Sequence, residues 1–365
     1  MNTLFTRIQS FSTFCSLAWL LCVVPLAGQA EDFTYATNNG TITITSYTGP
    51  GGDVVIPATI TGLPVTRIGY MCFFGNTTVT GVLLPNSLIN IENFAFFSCA
   101  SLSSVELPKG LYRIGAGAFA GTGLLSITIP RGVTNVASGL TMWGYYGAFS
   151  RCAKLGAITV DPLNPIYADS DGVLFTKDFA TLVQYPDGKS RSYAIPHGVT
   201  TIGGGAFTQS SITNLIIPTT VTTIEDGAVA DCSGPALCFL GDAPPHVGPD
   251  AFYAYFGPPQ PYPTAYYLPG TTGWGPMLAD AKTALWYLPH PVILDFGPSF
   301  GVQNGRFGFR ISWATNAAVA IEGTTTLAGS SWLPLATNAL AGGWSYFADP
   351  DSTNYWTRFY RLRWP

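Results

Sequence analysis

The chain has 365 residues, of which 47% are hydrophobic and only 10% are charged. Such a chain is long enough for about two or three domains with a sizeable core, and its composition excludes intrinsic disorder. The formal net charge of −4 argues against nucleic acid or an anionic membrane as the main partner, because both require a basic face.

Residues 1–30 have the pattern of a secretory signal peptide. Arg7 gives a positive start, Phe11 to Leu26 is apolar, and small residues stand at the two positions that a cleavage site after Ala30 requires. We expect cleavage there and export of the chain, with an uncleaved anchor helix as the alternative. We expect no transmembrane segment after the signal peptide, because no later stretch is long and apolar enough.

Residues 31–56 have the pattern of an N-terminal β cap. Phe33 to Thr45 alternates between apolar and polar residues around Asn39-Gly40, the dipeptide that a type I′ hairpin turn favours. We expect this hairpin to cover the open edge of the sheet that follows.

Residues 57–288 repeat one motif. Each copy has an Ala-Phe pair, a polar turn, a main strand of pattern apolar-x-apolar-Pro, and a second short strand of pattern x-x-apolar. By subtraction the motif prolines are 28, 23, 22, 66 and 22 residues apart; they are Pro57, Pro85, Pro108, Pro130, Pro196 and Pro218. The longest interval holds a degenerate copy with Asp161 at the proline position. Such a period predicts a solenoid of about seven repeats that bury each other's apolar faces.

The alternation within each copy predicts which residues form the core. Alternate residues of a strand point to opposite faces, so the apolar positions should face inward. The expected core ladder consists of Phe96, Leu102, Val105, Leu107, Ile114, Phe119, Leu124, Ile127, Ile129 and their homologues in other repeats.

The motif closely resembles a known family. The stretch Phe96 to Pro108 follows the pattern Phe-x-x-Cys-x-x-Leu-x-x-Val-x-Leu-Pro, which is similar to the BspA-like leucine-rich repeat family of bacterial secreted and surface proteins. The likeness covers about residues 50–288. It implies a mainly β leucine-rich repeat solenoid, with short parallel strands and turn or short-helix returns, that is secreted or lies at the cell surface. It implies a binding or adhesion role and transfers no catalytic residue.

Two insertions interrupt the repeats. Ala137 to Tyr146 contains Trp143, Tyr145 and Tyr146, which form either a contact site on a loop or a cover over the core of their own repeat. Residues 161–194 depart from the motif and have the pattern of a hairpin insertion with short strands and Asp-Gly turns.

The end of the chain changes character. We expect residues 236–288 to form a C-terminal cap whose core includes Trp274 and Trp286, because a terminal repeat must shield the last apolar face. Residues 289–298 have the composition of a linker. In residues 299–365, alternating segments at Phe307 to Trp313, Ala318 to Glu322, Trp344 to Phe347 and Arg358 to Arg363 predict a small antiparallel β-sandwich.

Five cysteines follow the signal peptide, and repeat register explains three of them. Cys99, Cys152 and Cys232 each lie three residues after the Phe position of their repeat. In leucine-rich repeats that position points inward and satisfies backbone groups of the turn. Cys99 and Cys152 are separated by one repeat, so their Cα atoms should be about twice the ~4.8 Å strand spacing apart, too far for a disulfide.

The sequence offers no catalytic, cofactor-binding or metal-binding residue. The three histidines each adjoin a proline, and none has the spacing of a metal-ligand pair or a triad base. Nucleotide-binding and hydrolase motifs are absent from the sequence. We therefore predict a non-enzymatic protein without a cofactor.

Because the sequence offers no catalytic or cofactor-binding residue, the residues predicted to face outward are the candidate contacts with a partner. We expect an exported recognition or adhesion protein that binds a protein or polysaccharide through the solenoid. A carbohydrate-binding accessory protein that uses exposed, coplanar aromatic rings is the alternative, and a polysaccharide-active enzyme is less favoured. The outward residues form either a binding face or an inert solvated sheet. Beside Trp143, Tyr145 and Tyr146, the candidate contacts are Ser104, Glu106, Ser126, Thr128, Tyr112 and Arg113.

Overall fold

The computed structural model describes residues 29–253, 262–297, 299–327 and 331–364. The predicted signal peptide, apart from its last two residues, lies outside the described part of the chain. The described chain begins with a short 3₁₀-helix, Gln29–Asp32, and two others, Ala341–Gly343 and Ser352–Asn354, lie near its end.

The fold consists of short β-strands, and these described ranges contain no α-helix. The strands of the first half are β1 (Phe33–Asn38), β2 (Thr41–Tyr47), β3 (Gly52–Val55), β4 (Thr59–Ile60), β5 (Leu63–Ile68), β6 (Val79–Leu83), β7 (Asn90–Ile91), β8 (Ser104–Glu106), β9 (Arg113–Ile114), β10 (Ser126–Ile129), β11 (Asn135–Val136), β12 (Ser138–Thr141), β13 (Gly144–Gly147) and β14 (Ala157–Val160).

The second half continues in the same manner. Its strands are β15 (Tyr167–Ser170), β16 (Val173–Thr176), β17 (Thr181–Gln184), β18 (Ser192–Ala194), β19 (Thr201–Ile202), β20 (Asn214–Ile217), β21 (Thr223–Ile224), β22 (Ala236–Phe239), β23 (His246–Val247), β24 (Thr264–Tyr267), β25 (Met277–Leu278), β26 (Ala281–Leu285), β27 (Val292–Leu294), β28 (Gly301–Gln303), β29 (Arg306–Ser312), β30 (Ala318–Thr324), β31 (Leu333–Ala339), β32 (Trp344–Ala348) and β33 (Phe359–Arg363).

The repeats stack through three parallel rows of backbone. The main-strand row runs through β3-β6-β8, then β10-β14, and then β18-β20-β22-β24-β26. The second-strand row runs through β5-β7-β9-β11 and then β17-β19-β21-β23. A third row, the turn row, is a ladder of single hydrogen bonds, such as Phe96 N–H to Ala118 O (2.8 Å) and Phe119 N–H to Ala148 O (2.9 Å). The predicted solenoid is therefore present.

The core lies where the alternation places it. All members of the predicted ladder are buried except Val105, which is half-buried, and Ile127 is only 2% exposed. The two largest clusters of the core meet at β16, where Leu174 belongs to the first and its neighbours Val173 and Phe175 to the second. The predicted register is confirmed.

The two predicted hairpins are present and join the rows. Asn39 and Gly40 have positive φ values of 49° and 76°, as a type I′ turn requires, and β2 pairs in parallel with β5. In the second hairpin β15 pairs with β16 around Asp171-Gly172, and Asp171 pairs with Lys189 at 2.9 Å. The strands β17 and β18 of this insertion each pair in parallel with the next repeat, so the insertion is part of the stack.

The main-strand row extends through the predicted C-terminal cap. There β22, β24 and β26 pair in parallel, and β25 folds back antiparallel on β26. Trp274 stacks on Tyr267 with ring centroids 5.0 Å apart, and it packs against the second core cluster as predicted.

The C-terminal region forms two small antiparallel sheets that share one hydrophobic cluster. In one sheet β29 pairs with β27, β28 and β32; in the other β30 lies between β31 and β33. The four alternating segments of this region lie in β29, β30, β32 and β33. Within the predicted linker, residues 289–298, the segment Val292–Leu294 pairs with β29. This strand was not predicted from the sequence because prolines flank its short apolar run.

Candidate functional site

The outward residues of the main strands form a flat polar face. Ser104, Glu106, Ser126 and Thr128 are exposed, as predicted. Thr128 and Thr159 of neighbouring strands hydrogen-bond through their hydroxyls at 2.9 Å. This face offers donors and acceptors, and one end of it also carries two apolar side chains, Val55 and Leu83, which are 36% and 53% exposed.

The second-strand row carries an apolar pair. Ile89 and Tyr112 precede the second strands of adjacent repeats and are 46% and 51% exposed. The N–H of Tyr112 donates to the carbonyl of Ile89 at 2.8 Å, so the two side chains stand next to each other. Two large apolar side chains thus project from a row whose other outward residues are polar.

Charged residues border this pair. Glu92 accepts from Arg67 at 3.3 Å through one carboxylate oxygen and from Arg113 at 3.2 Å through the other. Arg113 also donates to Asn93 Oδ1 at 3.0 Å. Partly exposed pairs of this kind contribute about 0–1 kcal/mol each to stability, so their main effect is to hold the guanidinium groups in place. We call Arg67, Ile89, Tyr112 and Arg113 the Tyr112 ridge.

The insertion at residues 137–146 is a β-hairpin, β12–β13, that lies against the turn row. Tyr145 and Tyr146 are 6% and 3% exposed, so most of each ring is covered by the solenoid. The interpretation that these aromatics cover the repeats is the one the burial supports. The two rings point to opposite sides because they are consecutive residues of one strand.

Each of these tyrosines packs against a different part of the solenoid. The ring of Tyr146 contacts Phe94 edge-on, with centroids 5.2 Å apart, in the first half. The hydroxyl of Tyr145 donates to Asp250 Oδ2 at 3.1 Å, in the second half. Burial, and then the hydrogen bond to and the charge of Asp250, raise the pKa of Tyr145 to about 12. The hairpin therefore connects repeats that are far apart in sequence.

The tip of the hairpin is apolar and accessible. Leu140 and Met142 are 62% and 71% exposed. Trp143, one of the candidate contacts, is half-buried and packs against Phe94 and Phe74, with centroids 4.9 and 5.5 Å apart.

A groove lies on each side of the hairpin. The larger has a volume of about 780 Å³, and its walls include Leu140, Glu225, Asp226 and His246. The smaller, which we call the aromatic groove, has a volume of about 500 Å³ and is lined by Phe74, Phe97, Trp143, Tyr146, Arg151, Gln209 and Asp231. Apart from Trp143 and Tyr146, these groove residues were not singled out from the sequence. The repeat register could have identified them, since they occupy the first or second place after the Phe position of their repeats.

The cysteines have the structural role that register predicts. The thiols of Cys99, Cys152 and Cys232 donate to the carbonyl oxygens of Phe73, Phe119 and Phe207, each at 3.0 Å. Burial raises the pKa of Cys152 to about 11 and the pKa of Cys232 to about 12. These thiols therefore remain protonated and serve as internal hydrogen-bond donors in the turn.

Within residues 29–253 and the three later described segments, no group of three or more His, Cys, Asp or Glu side chains is arranged to hold a metal ion. Across the same residues, no helix combines the length and apolar character that crossing a membrane requires.

The repeat motif of this chain also occurs in known proteins. The sequence matches the BspA-type leucine-rich repeat region in six copies, over residues 54–166 and 187–254. The chain belongs to the BspA-type leucine-rich repeat family. The match covers most of the three-row stack, and it ends before the C-terminal sheets of this BspA-type protein.

Several solved structures resemble this BspA-type protein. A leucine-rich cell surface protein from Faecalibacterium prausnitzii is 24% identical over 56% of this chain and 74% of that one, with a TM-score of 0.29. A leucine-rich repeat protein from Eubacterium ventriosum is 21% identical over 58% and 64%, with a TM-score of 0.41. The pneumococcal vaccine antigen PcpA is 16% identical over 71% and 98%, with a TM-score of 0.34. Comparison with curated proteins gives no match.

Proposed function

We propose that this BspA-type protein is an exported, non-enzymatic recognition protein that acts outside the cell or at its surface. Its solenoid binds a protein partner, and the Tyr112 ridge is the centre of the contact. Membership of the BspA-type family supports a binding role. The signal-peptide pattern of residues 1–30 supports export.

The ridge is the observation that carries the proposal. The residues that dominate protein interfaces are mostly Trp, Tyr and Arg, surrounded by contacts that exclude water. Tyr112 projects beside Ile89, and Arg113 is fixed next to it by Glu92. The rigid backbone of the row means that the partner finds these groups already in position, which lowers the entropic cost of binding.

The flat main-strand face supplies the polar part of the proposed interface. Ser104, Glu106, Ser126 and Thr128 provide hydrogen-bonding groups on a second face of the same repeats. Polar residues at the rim of an interface contribute specificity more than affinity.

The test combines a binding screen with a matched pair of variants. The purified chain, beginning at Glu31, would be screened by surface plasmon resonance against extracellular proteins and glycans. Any protein hit would then be measured with Ile89→Ser/Tyr112→Ala and with Thr200→Ala/Thr222→Ala, which changes the same positions in the second half. We expect roughly a tenfold or greater loss of affinity for the first variant and no change for the second.

Two results would contradict the proposal. Equal loss in both variants, or in neither, would show that the partner contacts another surface. Reproducible hydrolysis of a polymer by the purified chain would show that the protein is an enzyme. N-terminal sequencing of the exported protein tests the localisation separately, since we expect the mature chain to begin at Glu31.

A further inference from the structure

The aromatic groove has features that the protein-binding ridge does not use. Its volume of about 500 Å³ lies within the range of small-molecule sites. We propose that it binds a short, neutral oligosaccharide. This site shares no residue with the Tyr112 ridge, so the two proposals stand or fall separately.

One end of the groove consists of aromatic rings. Phe74 and Phe97 stack on each other with centroids 5.2 Å apart and planes only 8° from parallel, and Phe74 is 46% exposed. The ring of Trp143 closes this end at 5.5 Å from Phe74. A sugar ring has an apolar face of C–H groups, and aromatic surface removes that face from water.

The other end is polar, and repeat register builds it. Arg151, Gln209 and Asp231 occupy the same place in three repeats, two residues after the Phe position, with φ values of 59°, 57° and 55°. Glycine takes this left-handed position in two other repeats, as Gly75 and Gly121. Three large polar side chains at this position therefore line the groove together.

Gln209 shows that this end is suited to a hydrogen-bond donor. Its Oε1 atom is buried and has no hydrogen-bond partner. A buried acceptor without a donor costs free energy, so a ligand hydroxyl gains affinity there once the amide of Gln209 rotates to meet it.

The balance of charge indicates a neutral ligand. Arg151 and Asp231 contribute opposite charges to the same groove. A charged peptide side chain would be attracted to one of them and repelled by the other. A sugar hydroxyl both donates and accepts, so it can serve the guanidinium, the carboxylate and the amide alike.

The experiment uses the full exported chain and defined oligosaccharides. Isothermal titration calorimetry would measure binding of neutral glucan, mannan, galactan and chitin fragments. Heparin fragments and a lysine tripeptide serve as charged probes, and an apolar tripeptide serves as a peptide probe. The key variant is Gln209→Leu, and its control is Ser98→Ala, because Ser98 holds the same place in its repeat but does not line the groove.

We expect at least one neutral oligosaccharide to bind the wild-type chain and about tenfold weaker binding by Gln209→Leu. Ser98→Ala and Tyr112→Ala should bind it as the wild-type chain does. The melting temperature of Gln209→Leu should not fall, because the Oε1 atom that it removes has no partner. A merely structural role for Gln209 would lower it.

Three outcomes would overturn the proposal. One is that none of the neutral oligosaccharides binds the folded wild-type chain at millimolar concentration. Another is that Gln209→Leu binds them with unchanged affinity. The third is that only the peptides or the heparin fragments bind, which would make the groove a site of another class.

Discussion

The first and second halves of the solenoid share a core but differ at the surface. Ten large hydrophobic side chains are exposed between Phe33 and Val160, the ends of β1 and β14, and five among the described residues between Tyr167 and Leu285, the ends of β15 and β26. At the positions that Ile89 and Tyr112 hold in the first half, the second half has Thr200 and Thr222. Stacking therefore restricts the inward positions in every repeat, while the outward positions are free to become specific in some of them.

The two halves also differ in the contacts that a carboxylate makes at one repeat position. Glu92 and Glu225 both follow the apolar residue of a second strand. Glu92 is held by two arginines, Arg67 and Arg113, whereas Glu225 accepts from the backbone N–H of Gly204 at 2.8 Å. In the first half the carboxylate at this position holds two arginines at the surface, and in the second half it stabilises a turn.

The largest expected effect tests whether the two cores are equivalent. Ile127 and Leu215 hold the same place in their main strands and are 2% and 0% exposed. Ile127→Ala and Leu215→Ala should each lower the free energy of unfolding by about 2–5 kcal/mol, because each leaves a cavity in the stack. Urea denaturation followed by circular dichroism measures both. A loss in only one of them would mean that the halves are not built alike.

A smaller effect tests the connection between the halves. Tyr145→Phe removes the hydroxyl that binds Asp250 and leaves the ring in place. We expect a loss of about 1–3 kcal/mol, because the carboxylate loses a donor. The control is Tyr35→Phe, since Tyr35 is 40% exposed on the cap hairpin. Equal stability of the two variants in urea would show that the hydrogen bond contributes nothing.

Alkaline pH should weaken both halves through their buried thiols. Burial raises the pKa of Cys152 to about 11 and that of Cys232 to about 12, from the ordinary value of 9.0. Above pH 9.0 the unfolded chain loses these protons while the folded chain keeps them, so the free energy of unfolding falls as pH rises toward 11 to 12. Below pH 9.0 these thiols add no pH dependence. Urea midpoints at pH 8, 9 and 10 measure the slope, and Cys152→Ala/Cys232→Ala should flatten it.

The smallest expected effect concerns the charged border of the ridge. Glu92→Gln should change stability by about 1 kcal/mol or less at low ionic strength, and the change should shrink as salt is added. The variant should nevertheless weaken partner binding, because Arg67 and Arg113 lose the group that positions them. A large change in thermal stability would instead assign Glu92 a role in the fold.

The geometry of the repeats could be predicted from the sequence because the same stacking contacts recur in every copy. Ile127, Cys152 and the hairpin turn at Asn39-Gly40 each follow from local pattern alone. The path of the β12–β13 hairpin could not be predicted from local pattern, because the contact of Tyr145 with Asp250 joins residues 105 positions apart. The aromatic groove depends on that same path. β31 was also missed, since Pro334 and exposed residues obscure its alternation.

Repeat arrays generally tolerate a gain or loss of whole units, since each unit contacts only its neighbours. The β12–β13 hairpin removes that freedom. Deleting one unit between Gly147 and Asp250 would shift Asp250 by about one strand spacing, ~4.8 Å, relative to Tyr145. The shift exceeds the reach of a hydrogen bond, and it would change the width of both grooves. The insertion therefore disfavours a change in the number of repeats, unless the length of the hairpin changes with it.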